Sequence, residues 1–89
     1  MMQRDVTIIN KLGLHARAAA KLVAQATQFK SDIKLQKAHM EVNAKSILGV
    51  MMLAAAKGSV VTLSADGTDE SAALDALQAL VERRFDEAE

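Results

Sequence analysis

One histidine in this chain stands where a histidine can do chemistry. Gly13-Leu14-His15-Ala16-Arg17 joins a stretch of alternating apolar residues to an amphipathic one, so His15 falls at or just before the first residue of a helix. The first-turn N–H groups of a helix have no partners inside it and point outward. With the helix dipole they favour an anion at that point. Arg17 adds a guanidinium fork suited to phosphate oxygens. This positive setting disfavours a protonated imidazole and leaves one ring nitrogen with a free lone pair. A nucleophile beside a cradle made by the backbone of Ala16 and Arg17 is equipped to accept a phosphoryl group, with its charge stabilised on the spot. The plainer reading is a histidine that only caps the helix and an arginine that is only solvated. The His-x-Arg pair alone favours that plainer reading, because such pairs are frequent. His39, the only other histidine, falls in a turn and has no ligand partner. Cysteine is absent, and no Ser/His/Asp or metal-ligand spacing occurs, so neither a metal nor a cofactor is expected.

The elements that must position His15 follow from periodicity. Residues 3–9 alternate Val6 and Ile8 with polar neighbours, a strand, and Gly13 punctuates the turn after it. From Ala16 to Phe29 the apolar positions Ala19, Leu22, Val23, Ala26 and Phe29 recur at three- and four-residue steps, a one-faced helix. Ile33 and Leu35 alternate with polar residues in a second strand, Lys37-Ala38-His39 is a hairpin turn, and Met40-Glu41-Val42 a third strand. Ser46 and Lys57-Gly58 bracket a second helix over residues 47–57. Residues 60–65 are a fourth strand, ended by Asp66-Gly67. Thr68 or Asp69 caps a last helix with Ala73, Leu74, Leu77, Leu80 and Val81 as its buried stripe. The order β-α-β-β-α-β-α, with hairpin-length joints and helices that need one shared face, predicts an α+β open-faced sandwich: a four-stranded antiparallel sheet covered on one face by three helices.

The segment Asn10-Lys11-Leu12-Gly13-Leu14-His15-Ala16-Arg17-Ala18-Ala19-Ala20 resembles the active-site segment of HPr, the histidine-containing phosphocarrier family of the bacterial phosphoenolpyruvate-dependent sugar phosphotransferase system. Lys45-Ser46-Ile47-Leu48-Gly49-Val50-Met51-Met52-Leu53-Ala54 resembles the second motif of that family, and residues 55–67 resemble the stretch that follows it. The two motifs keep the family's separation, and the likeness spans essentially residues 1–89 as one HPr-like domain. Their co-occurrence is far more specific than the His-Arg pair and reverses the preference for the plainer reading. The resemblance implies that His15 carries a phosphoryl group on Nδ1, taken from phospho-enzyme I and passed to the A domains of sugar permeases, with Arg17 steadying the phosphate. Such a chain is a phosphotransfer intermediate rather than a turnover enzyme. The family's proline directly after the arginine is replaced by Ala18. Proline there pre-sets the first turn and lacks an N–H that is otherwise orphaned, so a softer start to the helix is expected.

Ser46 has two readings. As an N-cap it contributes about 1 kcal/mol. By the resemblance it is also a site of regulatory phosphorylation by HPr kinase/phosphorylase, and a phosphate at a helix N-terminus beside Lys45 is tolerated by the dipole. Ile47, Leu48, Met51 and Met52 are too many large apolar residues for one stripe of a short helix. Val50 and Leu53 are the better core candidates. Either all six are core, or the first four form a docking patch, for which flexible Met side chains are suited. In the family this helix and the His15 helix make the partner face, for which Lys21, Lys45 and Arg17 would be the basic rim.

Composition sets bounds. The 89 residues suit a single domain with a radius of gyration of roughly 12 Å. The hydrophobic content is 51%, with no Trp or Tyr and only two Phe, so the core must be aliphatic and disorder is excluded. The net charge of zero conceals a split: residues 1–45 carry +5 and residues 46–89 carry −5. One reading is mutual attraction of two halves. The other, favoured once the motifs are recognised, is a dipolar domain whose basic side meets acidic partners while most carboxylates of the second half, in the last helix and its flanks, lie away from it. Nucleic-acid binding is disfavoured, because no sheet Tyr or Trp offers a stacking platform. No apolar stretch suggests a signal peptide or membrane insertion, and a cytoplasmic monomer is expected. The alternative function is a regulatory binding module of the nitrogen-related branch, acting through its phosphorylation state rather than through sugar uptake.

Overall fold

The computed structural model describes residues 1–89. Four strands form: β1 (Met2–Thr7), β2 (Asp32–Lys37), β3 (Met40–Asn43) and β4 (Val60–Asp66). Three helices accompany them: α1 (Ala16–Ala26), α2 (Ile47–Met52) and α3 (Glu70–Glu82). All pairings are antiparallel in the order β1-β4-β2-β3, which places β4 between β1 and β2, with Val6 opposite Val61 and Leu35 opposite Leu63.

Alternation along the strands decides which face is covered. Val6, Ile33, Leu35, Val61, Leu63 and Ala65 point to one side and are buried. Asp5, Lys34 and Gln36 point to the other and stay exposed, and the Thr62 hydroxyl donates to Asp5 at 2.7 Å on that open face. The helices bring the complementary stripes: Ala18, Ala19, Leu22, Val23 and Ala26 from α1, and Ala73, Leu74, Leu77, Leu80 and Val81 from α3. Many of these are alanines, so helix and sheet approach closely around a few large residues, among them Phe85. The expected α+β open-faced sandwich is the observed architecture.

Two helices end earlier than periodicity predicts. α1 stops at Ala26 rather than Phe29, and Thr27 folds its hydroxyl back onto the Ala24 carbonyl at 2.9 Å. α2 stops at Met52 rather than Lys57. Ala54 has φ +51, a left-handed conformation that a helix does not continue through. The Lys37 ammonium holds the Leu53 and Ala54 carbonyls at 3.4 and 3.2 Å. Beyond them, the Ala55 carbonyl is committed to accepting from Leu14 N–H at 2.9 Å. The alanine run satisfies helix propensity, but tertiary hydrogen bonds take its backbone elsewhere.

Asp69 is the N-cap of α3 by position, yet its carboxylate caps nothing in that helix. It accepts from Lys30 N–H, Ser31 N–H and the Ser31 hydroxyl at 2.8, 2.9 and 2.5 Å. The hydrogen bond from the Ser31 hydroxyl, joined by those from the backbone, holds its carboxyl below the usual value of 3.8. It thus ties the turn before β2 to the start of α3.

Candidate functional site

The loop Asn10–Leu14 is pinned from two sides. Gly13 has φ +67, and a Cβ there would collide with the Ala55 carbonyl oxygen, so only glycine permits this turn against the segment after α2. Asn10 is fully buried. Its amide donates to the Gly13 carbonyl at 2.8 Å and to Glu87 Oε1 at 2.9 Å. Its Oδ1 is buried without a partner, a cost of about 1–3 kcal/mol.

His15 is the N-cap residue of α1, with φ −74 and ψ 179, and its side chain makes no capping hydrogen bond. The capping alternative for His15 therefore fails. The chain supplies no acceptor for the Ala16, Arg17 and Ala18 N–H groups, and the first bond of the helix runs from Ala19 N–H to the His15 carbonyl at 2.8 Å. Arg17 is exposed and forms no ion pair or hydrogen bond within the chain. The imidazole is engaged at one nitrogen only: Nε2 meets Glu87 Oε2. Nδ1 has no partner.

Glu87 reaches His15 because the chain folds back after α3. Arg84, Phe85 and Asp86 form a tight turn in which all three have positive φ (59, 54 and 61), costing about 1–2 kcal/mol each. Complete burial of Phe85 returns about 1.5–3 kcal/mol. Lys21 Nζ donates to the Phe85 carbonyl at 2.8 Å and lies 3.7 Å from Asp86. Lys11 N–H donates to the Glu89 main-chain oxygen at 2.6 Å, and its ammonium lies 3.4 Å from the Glu89 carboxylate. These bonds, each net about 0.5–1.5 kcal/mol, offset the remaining strain. Burial pushes the Glu87 carboxyl up, but hydrogen bonds from Asn10 and His15, aided by the nearby Arg17 charge, hold it below its usual value of 4.5.

The result is a cleft of about 860 Å³ with Lys11, Leu12, His15, Ala16, Arg17 and Lys21 on one wall and Asp86, Glu87, Ala88 and Glu89 on the other. This corrects the expected charge layout: the carboxylates at the end of the chain do not lie away from the basic side but fold onto it. Sequence reasoning missed Asn10 and Glu87 at the site because no local pattern links residues 72 to 77 positions apart. One signal was available. Phe85, one of only two aromatics, sits four residues beyond Val81 and extends the buried stripe past the helix end.

The remaining predicted site residues fall as follows. Ser46 is the N-cap of α2, its hydroxyl accepting from Gly49 N–H at 3.1 Å. Ile47, Leu48, Met51 and Met52 are exposed, at 45, 71, 40 and 58%, whereas Val50 and Leu53 are buried. The reading in which all six belong to the core is thereby excluded. Lys45 is half-buried, with its ammonium on the Phe29 carbonyl at 2.8 Å. Both Lys21 and Lys45 are thus held by backbone carbonyls, while Arg17 is free. His39 lies exposed in the β2–β3 turn.

A helix start with free N–H groups, a histidine with one bare nitrogen and an unpaired arginine lie together on an open-faced sandwich, an arrangement chemically suited to an anion. Comparison with known proteins specifies the class. Residues 2–83 match the family model described as the PTS HPr component phosphorylation site, and the chain belongs to the HPr family, the phosphocarriers of the phosphotransferase system. It is 61% identical over 89 residues to the phosphocarrier protein HPr of Cupriavidus necator, with both chains covered completely. It is 48% identical over 87 residues to the phosphocarrier protein NPr of Shewanella violacea, covering 98% of this chain and 96% of the relative. HPr-C-His from Thermoanaerobacter tengcongensis superposes with TM-score 0.96 at 47% identity, both chains fully covered. An HPr dimer from the same organism superposes with TM-score 0.79 at 48% identity, covering 98% of this chain and 100% of the other. No helix is long and apolar enough to cross a membrane.

Proposed function

We propose that this HPr-family protein is a cytoplasmic carrier that accepts a phosphoryl group on His15 Nδ1 from phospho-enzyme I and passes it to the A domains of sugar permeases. The observation that carries this reading is the asymmetry of the imidazole: Nε2 is occupied by Glu87 and Nδ1 is bare, beside the unpartnered N–H groups of Ala16 and Arg17. A phosphate on Nδ1 meets those donors, the positive end of α1 and the free guanidinium of Arg17.

The exposed Ile47, Leu48, Met51 and Met52 are the apolar part of the partner-docking face, with Arg17, Lys21 and Lys45 at its rim. Ser46 is the site at which HPr kinase/phosphorylase would add a regulatory phosphate. Its hydroxyl is already spent on the cap, so modification replaces a neutral acceptor with an anionic one at the same helix start and adds charge beside the docking face. The carrier acts as a monomer, which sedimentation at working concentrations would test against a dimer such as the Thermoanaerobacter one.

Radiolabelled phosphoenolpyruvate with enzyme I tests the carrier reading. Acid-labile label should appear on the chain, vanish in His15→Ala and persist in Ser46→Ala; label that survives in His15→Ala would overturn it. The NPr relative favours one second reading, a regulatory module of the nitrogen branch. Running the reaction in parallel with sugar-branch and nitrogen-branch enzyme I separates the two by which donor is faster.

A further inference from the structure

We propose that Glu87 is a positioning residue for phosphoryl transfer: it holds the His15 ring with the proton on Nε2 and the lone pair on Nδ1. The inference rests on the reading that His15 Nδ1 is the acceptor, and it extends the site to a residue 72 positions away. In a neutral imidazole, the nitrogen that carries the proton is set by the partner of the ring. An ionised carboxylate only accepts, so the Nε2 that faces Glu87 must donate.

The carboxylate is itself held in place. Asn10 Nδ2 donates to Glu87 Oε1 while Nε2 faces Oε2, so each oxygen has its own donor. The Asn10 amide cannot turn over without setting its oxygen against the carboxylate and the Gly13 carbonyl. It keeps this orientation although its Oδ1 stays buried without a partner. Asn10, Glu87 and His15 thus form one chain of contacts, and the anchor of the tail at Phe85 is independent of it.

In the transfer step the Nδ1 lone pair forms the bond to phosphorus. The bond from phosphorus to the donor atom breaks, and its electron pair stays on the donor. No proton moves: Nε2 keeps its hydrogen, and the ring gains one positive charge directly against the Glu87 carboxylate. The same carboxylate is well placed in the onward step, when the Nδ1–phosphorus electron pair returns to the ring.

The test compares the wild type with Glu87→Gln and Glu87→Ala. The glutamine variant keeps the size of the side chain but offers one carbonyl oxygen for two donors. Nitrogen-15 shifts of the ring, read where the imidazole is neutral, should show a protonated Nε2 and a bare Nδ1 in the wild type. Both variants should move toward an average of the two tautomers, and label transfer from enzyme I should slow by about tenfold, the low end of the loss seen when the outer partner of a metal-ligating histidine is removed. A merely structural tail would alter amide shifts and melting but not the ring nitrogens. Unchanged ring nitrogens, or an unchanged transfer rate, in both variants overturn the proposal. A wild-type chain that accepts no label overturns instead the carrier reading beneath it, whatever the ring nitrogens do.

Discussion

At the scale of single residues, two carboxylates do work that their positions in the sequence do not advertise. Asp69 joins the turn before β2 to the start of α3 through three donated hydrogen bonds, and Glu87 joins Asn10 to His15. Both are held below their usual values. A carboxyl whose folded pKa is depressed binds its proton more readily in the unfolded chain. Its contribution to stability is therefore complete above the ordinary carboxylate range, near pH 4, and is lost as pH falls through the lower folded value. Melting temperature should accordingly drop on acidification from about pH 5 toward pH 2, and Asp69→Asn should flatten that drop while lowering the melting point at pH 7. Thermal melts of both proteins across this range check it; parallel curves would show that Asp69 does not contribute.

At the scale of elements, the two helix starts differ in how they are closed. α2 is capped by Ser46. Ser46→Ala should cost about 1 kcal/mol, a fall in melting point of about 4–8 °C for a domain of this size, measurable by calorimetry. α1 is left open, since its first N–H groups have no acceptor in the chain. The Ala18 amide is one of these, so Ala18→Pro breaks no hydrogen bond. By restricting the unfolded chain it should stabilise by about 0.4–1 kcal/mol and slow amide exchange at Ala19 and Ala20. Equal exchange in the two proteins would show that the alanine start is no softer than a proline one. The shortening of α2 belongs to this scale too. Local propensity carries the helix into Ala54-Ala55-Ala56, and the Lys37, Leu14 and Ser59 hydrogen bonds draw its backbone elsewhere.

At the scale of the molecule, the +5 and −5 halves of the chain meet at the cleft. Lys11, Arg17 and Lys21 face Asp86, Glu87 and Glu89 across it, so the site is locally near balance rather than an open basic field. Long-range steering of an acidic partner is correspondingly muted. Enzyme I binding should show a shallow salt dependence, and Asp86→Asn with Glu89→Gln, which leave Glu87 in place, should steepen it and raise the association rate at low salt. Binding measured between about 50 and 300 mM salt tests this; identical slopes would mean that the tail carboxylates do not shield the basic side.

The sequence by itself determined the layers of this protein and the identity of its nucleophile candidate. Period-two and period-3.6 patterns specify which side chains are buried, as Leu35 and Leu77 illustrate. The Gly13–Arg17 segment marks a helix start because glycine turns and amphipathic spacing are local signals. The free face of Ile47, Leu48, Met51 and Met52 was legible for the same reason, as a surplus over what one stripe can bury. The other wall of the site was decided by tertiary structure alone. Glu87 and Asn10 look like ordinary polar residues along the chain. Glu87 reaches Asn10 and His15 because the chain folds back at Arg84–Asp86, in left-handed conformations that local propensity opposes, held there by buried Phe85 and the Lys11 and Lys21 hydrogen bonds. Contacts between residues some seventy positions apart leave no periodicity to read, so the partner of Nε2 was settled by the fold.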